Sequence, residues 1–277
     1  MRTLYLMKQV LKGTVKGLLD PLGLELVRNR VALDSVDKQG RLVLAPIRRN
    51  MAQAVQHLKR LGFEPNTIID VGAGHGTDDL LTTFPKAFTW WLEPLEEFEP
   101  ALQKLRAKYP GKVVIAAAGP ADGEIVLNAH ADSYGSSVLG ESDGPTADGD
   151  ARKVKAVRLD TVLRNHNLGE NVLLKVDVQG FELAVLDGAE ETLPKCDAVI
   201  LETSFFRLHD SAPEFYDVLH YMKQRGFVAY DLFDGHNRPL DNALAQRDVL
   251  FVKEEGRFRT THQWATAEQR ARMSGGH

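Results

Sequence analysis

The sequence predicts an α/β domain, a mostly parallel seven-stranded sheet with helices on both faces, preceded by an N-terminal helical extension. Three observations predict it. From residue 63 onward, short apolar runs rich in Val and Ile alternate with stretches of helical periodicity, the signature of repeated βα units. The first run, Thr67-Ile-Ile-Asp-Val71, opens directly into a glycine turn, Gly72-Ala-Gly-His-Gly76. The next apolar run closes on Glu93-Pro94, about twenty residues after that turn, where the first crossover of a doubly wound sheet places an acidic group for ribose hydroxyls.

The elements follow in order. Residues 1–62 read as a mostly helical extension, broken at Asp20-Pro21 and near Pro46. Lys8, Lys12 and Lys16 recur every four residues among leucines and valines, so they share one helical face. That helix reads either as a cover over the domain or a partner, or as a peripheral helix lying on anionic lipid. Residues 48–61 have helical periodicity, and Gly62 supplies a stop. The main domain is assigned to residues 63–257. Its strands are expected at 67–71, 88–92, 113–117, 172–177, 198–202, 228–232 and 249–252, and its helices at 77–83, 97–108, 181–193 and 212–225. Extra strands at 124–128 and 155–159 flank residues 140–150, whose turn formers and acids read as a mobile loop. Residues 258–277 read as a polar tail, frayed or a loosely docked helix.

Bulk properties narrow the class. A chain of 277 residues suits one large α/β domain with an extension. The net charge of −4 gives no general attraction to nucleic acid, so no nucleic-acid partner is expected. Cys196 is the only cysteine, which excludes an intrachain disulfide and fits a reducing, cytoplasmic setting. Its apolar surroundings suit a buried hydrophobe better than a nucleophile. No apolar run approaches the ~20 residues that span a bilayer, and the N-terminal lysines interrupt any secretory core. The sequence leaves a homo-oligomer open.

The glycine spacing selects the ligand. A dinucleotide site wants G-x-G-x-x-G, but the third glycine position here is Thr77. The form D-x-G-x-G-x-G, from Asp70 to Gly76, resembles the S-adenosylmethionine-dependent methyltransferases of the Rossmann-like class, whose last strand is usually inserted antiparallel. The sulfonium cofactor has a cationic amino-acid end, which suits the Asp70 carboxylate. A second element, Leu174-Lys-Val-Asp-Val-Gln-Gly-Phe-Glu182, narrows the resemblance. Together with Arg158-Leu-Asp, Gly135-Ser-Ser-Val-Leu139 and Gln246-Arg-Asp-Val-Leu-Phe251, it is similar to the FkbM family of methyltransferases over roughly residues 65 to 253. That family commonly has Glu where this chain has Gln179. The resemblance implies a cytoplasmic O-methyltransferase acting on hydroxyls of sugars, glycolipids or natural products. The alternatives are an NAD-dependent oxidoreductase on the same fold and a non-catalytic nucleotide-binding scaffold.

Ligands in such sheets lie beyond the carboxyl ends of the strands, so the useful residues are at strand tips. Asp70, Gly72, Ala73, Gly74 and Gly76 are expected to meet the amino-acid part of the cofactor, Glu93 its ribose, and Ala117 and Asp122 its adenine. Ala118 adjoins Ala117, although Asp122-Gly123 also suits a hairpin turn. Asp177 ends an apolar strand and can orient cofactor or acceptor. Lys175 shares its face and is either an ion-pair partner or a pKa-shifted base. His209 and His236 are the candidate general bases, in loops after the fifth and sixth strands. His75 is expected to shape the glycine turn, and Ser136-Ser137 to touch a ligand or begin a turn. No metal is expected. Were one present, Asp177, Glu182 and Glu202 would offer oxygen ligands for Mg²⁺ or Ca²⁺.

Overall fold

The computed structural model describes residues 24–27, 30–36, 42–43, 45–130, 136–140 and 149–273. It divides into two compact units, Met1–Ile47 with Thr261–His277, and Arg48–Thr260. The predicted lysine-faced helix of residues 1–19 and most of the predicted loop 140–150 lie outside the described residues.

In the first unit, β1 (Leu24–Val27), β2 (Arg30–Val36) and β3 (Leu42–Val43) form an antiparallel sheet. This corrects the helical reading of that stretch. Leu24-Glu-Leu26 alternates with period two, and Val27 pairs with Arg30 of β2. In the tail, α7 spans Ala267–Met273.

The second unit begins at Arg48, not at residue 63, and its first helix, α1 (Met51–Arg60), belongs to the core of the main sheet. The Asn50 side chain caps it by accepting the Gln53 N–H. Gly62, at φ +81°, ends it with the Phe63 N–H donating to the Leu58 carbonyl. Its apolar face carries Met51, Ala54, Val55 and Leu58, which pack with Ile68, Leu173 and Ile200 of the sheet.

The main sheet is built from β4 (Thr67–Val71), β5 (Phe88–Glu93), β6 (Gly111–Ile115), β10 (Val172–Val176), β11 (Cys196–Ser204), β12 (Phe227–Asn237) and β13 (Leu244–Lys253). The order across it is β12-β13-β11-β10-β4-β5-β6. Only β13 runs antiparallel, inserted between β11 and β12. All five residues of β4 and of β10 are buried, because helices cover both faces of a parallel sheet. On one face lies α1. On the other, Ile69, Val71, Leu174 and Val176 meet Val185 and Leu186 of α5 (Glu182–Asp187) and Val218 and Met222 of α6 (Phe215–Gln224). Two further helices, α2 (Asp78–Thr83) and α3 (Glu99–Lys108), flank β5 in the chain.

Several boundaries differ from expectation, three of them by a change of element. Strand 113–117 divides into β6 and β7 (Ala117–Ala118), and β7 leaves to join β8 (Gly123–Ala129) and β9 (Asp150–Val157) in a small separate sheet. Leu159 opens a short helix, α4 (Leu159–Leu163), rather than ending a strand. Helix 181–193 stops at Asp187, and Pro194 sits in a separate 3₁₀ turn. No helix among the described residues is long and apolar enough to cross a membrane.

Chain order places the site. From β4 the chain moves out through β5 to β6, then returns to β10 on the other side of β4. The crevice at such a reversal, beyond the carboxyl ends of β4 and β10, is where doubly wound sheets hold ligands.

Candidate functional site

A cavity of about 560 Å³ lies at that crevice. This is within the range of small-molecule sites. One wall comes from β4, β5 and β7: the turn Gly72–Gly76, then Glu93, Phe98 and Ala116–Ala118. The other comes from the tips of β10 and β11: Lys175, Asp177, Val178, Gln179, Phe181 and Glu202.

The first wall is set by close backbone packing. Gly72 has φ +69°, and a Cβ on it would sit 1.8 Å from the Asp177 carbonyl oxygen. Its N–H donates to the Leu92 carbonyl, which binds the turn to β5. The Gly74 N–H donates to Glu93 Oε2 at 2.9 Å, and the Leu95 N–H to Glu93 Oε1 at 3.0 Å. Burial pushes the Glu93 carboxyl up, and these two donors oppose the rise. Each oxygen keeps a second lone pair for a ligand hydroxyl.

Asp70 was expected to face the ligand. It does not line the cavity. Its side chain is 2% exposed and accepts the Thr77 N–H and hydroxyl, at 3.3 and 3.1 Å. Thr77, the residue in the third-glycine position, thus ties the turn back onto the strand tip.

Register supplies the cation for Asp70. Lys175 stands beside it on the neighbouring parallel strand. Lys175 Nζ lies 3.5 Å from Asp70 Oδ1 and 3.3 Å from Asp177 Oδ2. Burial alone would lower its pKa, but Asp177, Asp70 and Asp248 outweigh that and hold the ammonium above the usual lysine range. Its geometry is that of an ion-pair partner to Asp70 and Asp177.

Beyond it, Gln179 takes a left-handed backbone at φ +53°. Its amide donates to Asp177 Oδ1 at 3.2 Å and Glu202 Oε2 at 2.9 Å. Its carbonyl accepts the Ser137 hydroxyl at 2.7 Å. Gln246 also donates to Glu202 Oε2, at 3.0 Å. Asp248 stands opposite Glu202 across the β11–β13 ladder, and burial, then Asp177, pushes its carboxyl up to about 7.

The carboxylates proposed for a metal do not assemble. Glu182 is buried and turned away, its Oε1 accepting the Val178 and Gly180 N–H groups. Among the described residues no group of three or more His, Cys, Asp or Glu could hold a metal ion. Burial pushes the Glu182 carboxyl from 4.5 to about 7. A folded-state pKa above the unfolded one gives stability that is complete below 4.5 and lost as pH rises through about 7. That shift corresponds to about 3 kcal/mol. Glu182→Gln keeps the acceptor oxygen and removes the titration. Urea unfolding from pH 4 to pH 8 should show the variant gaining about 3 kcal/mol relative to wild type.

Three further expected site residues lie elsewhere. Asp122 accepts the Arg158 N–H and the Thr161 hydroxyl, at 2.8 and 2.7 Å, and so caps α4 from outside. His236 is exposed on an extension of β12, in register with Gln246, because that strand continues past Leu232 to Asn237. His209 is buried in the turn after β11, near Gly180, and does not line the cavity. His75 does line it, edge-on to Phe98, and Ser136 lines it beside Val138. Gln246 and Asp248 belong to the Gln246–Phe251 element but were not expected in the site. They share one face of β13, but only the insertion of that strand beside β11 brings them to Glu202.

Comparisons with known proteins add a family-level match. The methyltransferase FkbM domain model matches residues 70–229, more than half of the chain. No curated protein matches it. Among solved structures, an rRNA methylase from Streptococcus thermophilus aligns at 15% identity over 76% of this chain and 99% of its own, with a TM-score of 0.44. A magnesium protoporphyrin IX methyltransferase from Synechocystis, solved with SAM, aligns at 12% identity over 76% and 86%, with a TM-score of 0.40. A precorrin-6y C5,15-methyltransferase from Geobacter metallireducens aligns at 9% identity over 78% and 96%, also with a TM-score of 0.40.

Proposed function

The chain belongs to the FkbM methyltransferase family, and from that premise we propose that it carries a methyl group from S-adenosylmethionine to a hydroxyl of a sugar, glycolipid or natural-product acceptor. One observation carries the reading: the cavity has two chemically different walls. The glycine turn, Glu93 and the small residues Ala116–Ala118 suit an adenosyl amino acid. Glu93 would take the ribose hydroxyls, the turn's backbone the carboxylate, and Ala116–Ala118 the base. Asp177, which lines the cavity, replaces Asp70 as the carboxylate for the cationic amino group. The opposite wall mixes carboxylates with amides, and that mixture both accepts from and donates to acceptor hydroxyls. The nicotinamide reading has less support, because Thr77 fills the third-glycine position and is bound to Asp70.

Calorimetric titration with S-adenosylmethionine, S-adenosylhomocysteine and NAD tests the proposal. Micromolar binding of the adenosyl ligands without NAD binding is expected. Glu93→Ala should weaken that binding about 10- to 100-fold, since it removes a charged hydrogen-bond acceptor and frees the Gly74 N–H. Tight binding of NAD alone would overturn the reading.

A further inference from the structure

Resting on the hydroxyl-methylating reading above, we infer that Glu202 is the residue that takes the proton from the acceptor hydroxyl. The sheet order divides the cavity. Strands β4 and β5 hold the glycine turn and Glu93, and Asp177 beyond β10 is assigned to the cofactor's amino group, so the acceptor is left the part of the flank around the end of β11. Glu202 lines the cavity from the carboxyl end of β11, on that flank.

Its hydrogen bonding distinguishes it from its neighbours. Gln179 and Gln246 both donate to Oε2, which fixes the carboxyl group in place. Oε1 accepts no hydrogen bond among the described residues. Asp177 has both oxygens engaged, Oδ1 by Gln179 and Oδ2 by Lys175. Glu93 has both oxygens engaged by backbone N–H groups on the other wall. His75 also belongs to that other wall, within the glycine turn. Lys175 is held as a cation, and neither His209 nor His236 lines the cavity.

The electrostatic setting strengthens Glu202 as a base. Burial first, then repulsion from Asp177, Glu182 and Asp248, pushes its carboxyl well above the ordinary range, while Lys175 opposes the rise. A carboxylate of raised pKa holds a transferred proton better near neutrality. As the acceptor oxygen bonds to the methyl carbon, the carbon–sulfur bond breaks with its electron pair left on sulfur. The hydroxyl proton passes to Glu202, which releases it to water afterwards. The neutral amide at Gln179 belongs to the same device. It holds Asp177 and Glu202 together, where a glutamate would add a third negative charge.

The test uses the full chain, tritium-labelled S-adenosylmethionine, and methyl glycosides of common hexoses and deoxyhexoses as hydroxyl probes. Wild type should methylate at least one probe. Glu202→Gln should lower kcat about 100-fold or more while calorimetric affinity for S-adenosylhomocysteine stays within about twofold. Glu202→Asp should keep an intermediate rate. In protein labelled with ¹³C at the glutamate carboxyl, one resonance absent from Glu202→Gln should titrate above the usual glutamate range. The wild-type rate should rise with pH along the same curve. Turnover by Glu202→Gln within about threefold of wild type would overturn the assignment alone. So would a Glu202 resonance titrating in the ordinary range. A wild type that binds the cofactor yet methylates none of the probes would remove the reading beneath the assignment, and the assignment with it.

Discussion

Gly72→Ala should unfold at a clearly lower denaturant concentration and lose most of its affinity for S-adenosylmethionine. Two costs add. A left-handed backbone at φ +69° costs an alanine about 1–2 kcal/mol. The added methyl would lie 1.8 Å from the Asp177 carbonyl oxygen, and that oxygen belongs to backbone that cannot rotate away. Relieving such a contact means separating the turn from the end of β10, about 1–3 kcal/mol for overpacking. The total is about 3 kcal/mol, and the displaced turn carries one wall of the cavity. Gly74→Ala is the internal control. Its φ of +52° also penalises alanine, but the nearest atom to an added Cβ is Phe98 Cε1 at 3.9 Å. It should cost about 1 kcal/mol. Urea unfolding measures both differences, and equal losses in the two variants would show that the Asp177 contact is unimportant.

The same pair of glycines explains what could be read from the sequence. The strand at 67–71, the turn and the acidic tip of the next strand were legible because a glycine turn after a buried strand has few structural uses. Burial of both faces makes β4 a mostly apolar run interrupted by Asp70, and its ends coincide with those expected. The sequence could not assign contacts that depend on register and insertion. Asp70 looks like a ligand group at a strand tip. Only the β4–β10 register, with Lys175 beside it, and the hydroxyl of Thr77 reveal it as an internal brace. Asp122 was drawn to the adenine by its place after the third strand, yet the departure of β7 into a second sheet turns that loop toward α4. His236 was placed in a loop because Asp234-Gly235 signals a turn. There the chain instead bulges at positive φ and continues as strand. Residues 24–43 were misread because Asp20-Pro21 passes for a break between helices, while Gly23 and Gly40, which frame these short strands, signal strand bounds only once the pairing is known.

Lys175→Met isolates the brace itself and should cost about 3–5 kcal/mol, the loss expected when one partner of a buried ion pair is removed. Asp70 is 1% exposed, and Lys175 is its nearest cation, at 3.5 Å. Burial already pushes the Asp70 carboxyl up, and Lys175 is the strongest influence holding it down. Without the ammonium, Asp70 would fold only with a proton bound. A folded-state pKa raised in this way gives stability present at low pH and lost as pH climbs through it. The variant should therefore lie closest to wild type near pH 5 and fall furthest behind near pH 8. Adding Asp70→Asn removes the uncompensated charge while keeping an oxygen for the Thr77 N–H and hydroxyl. The double variant should regain most of the lost stability and lose the extra pH dependence, with a coupling energy of about 2 kcal/mol or more in a double-mutant cycle. Additive losses at both pH values would mean that Lys175 and Asp70 are not coupled, and that the loss in Lys175→Met arises elsewhere, in packing or at Asp177, also within reach of the ammonium at 3.3 Å.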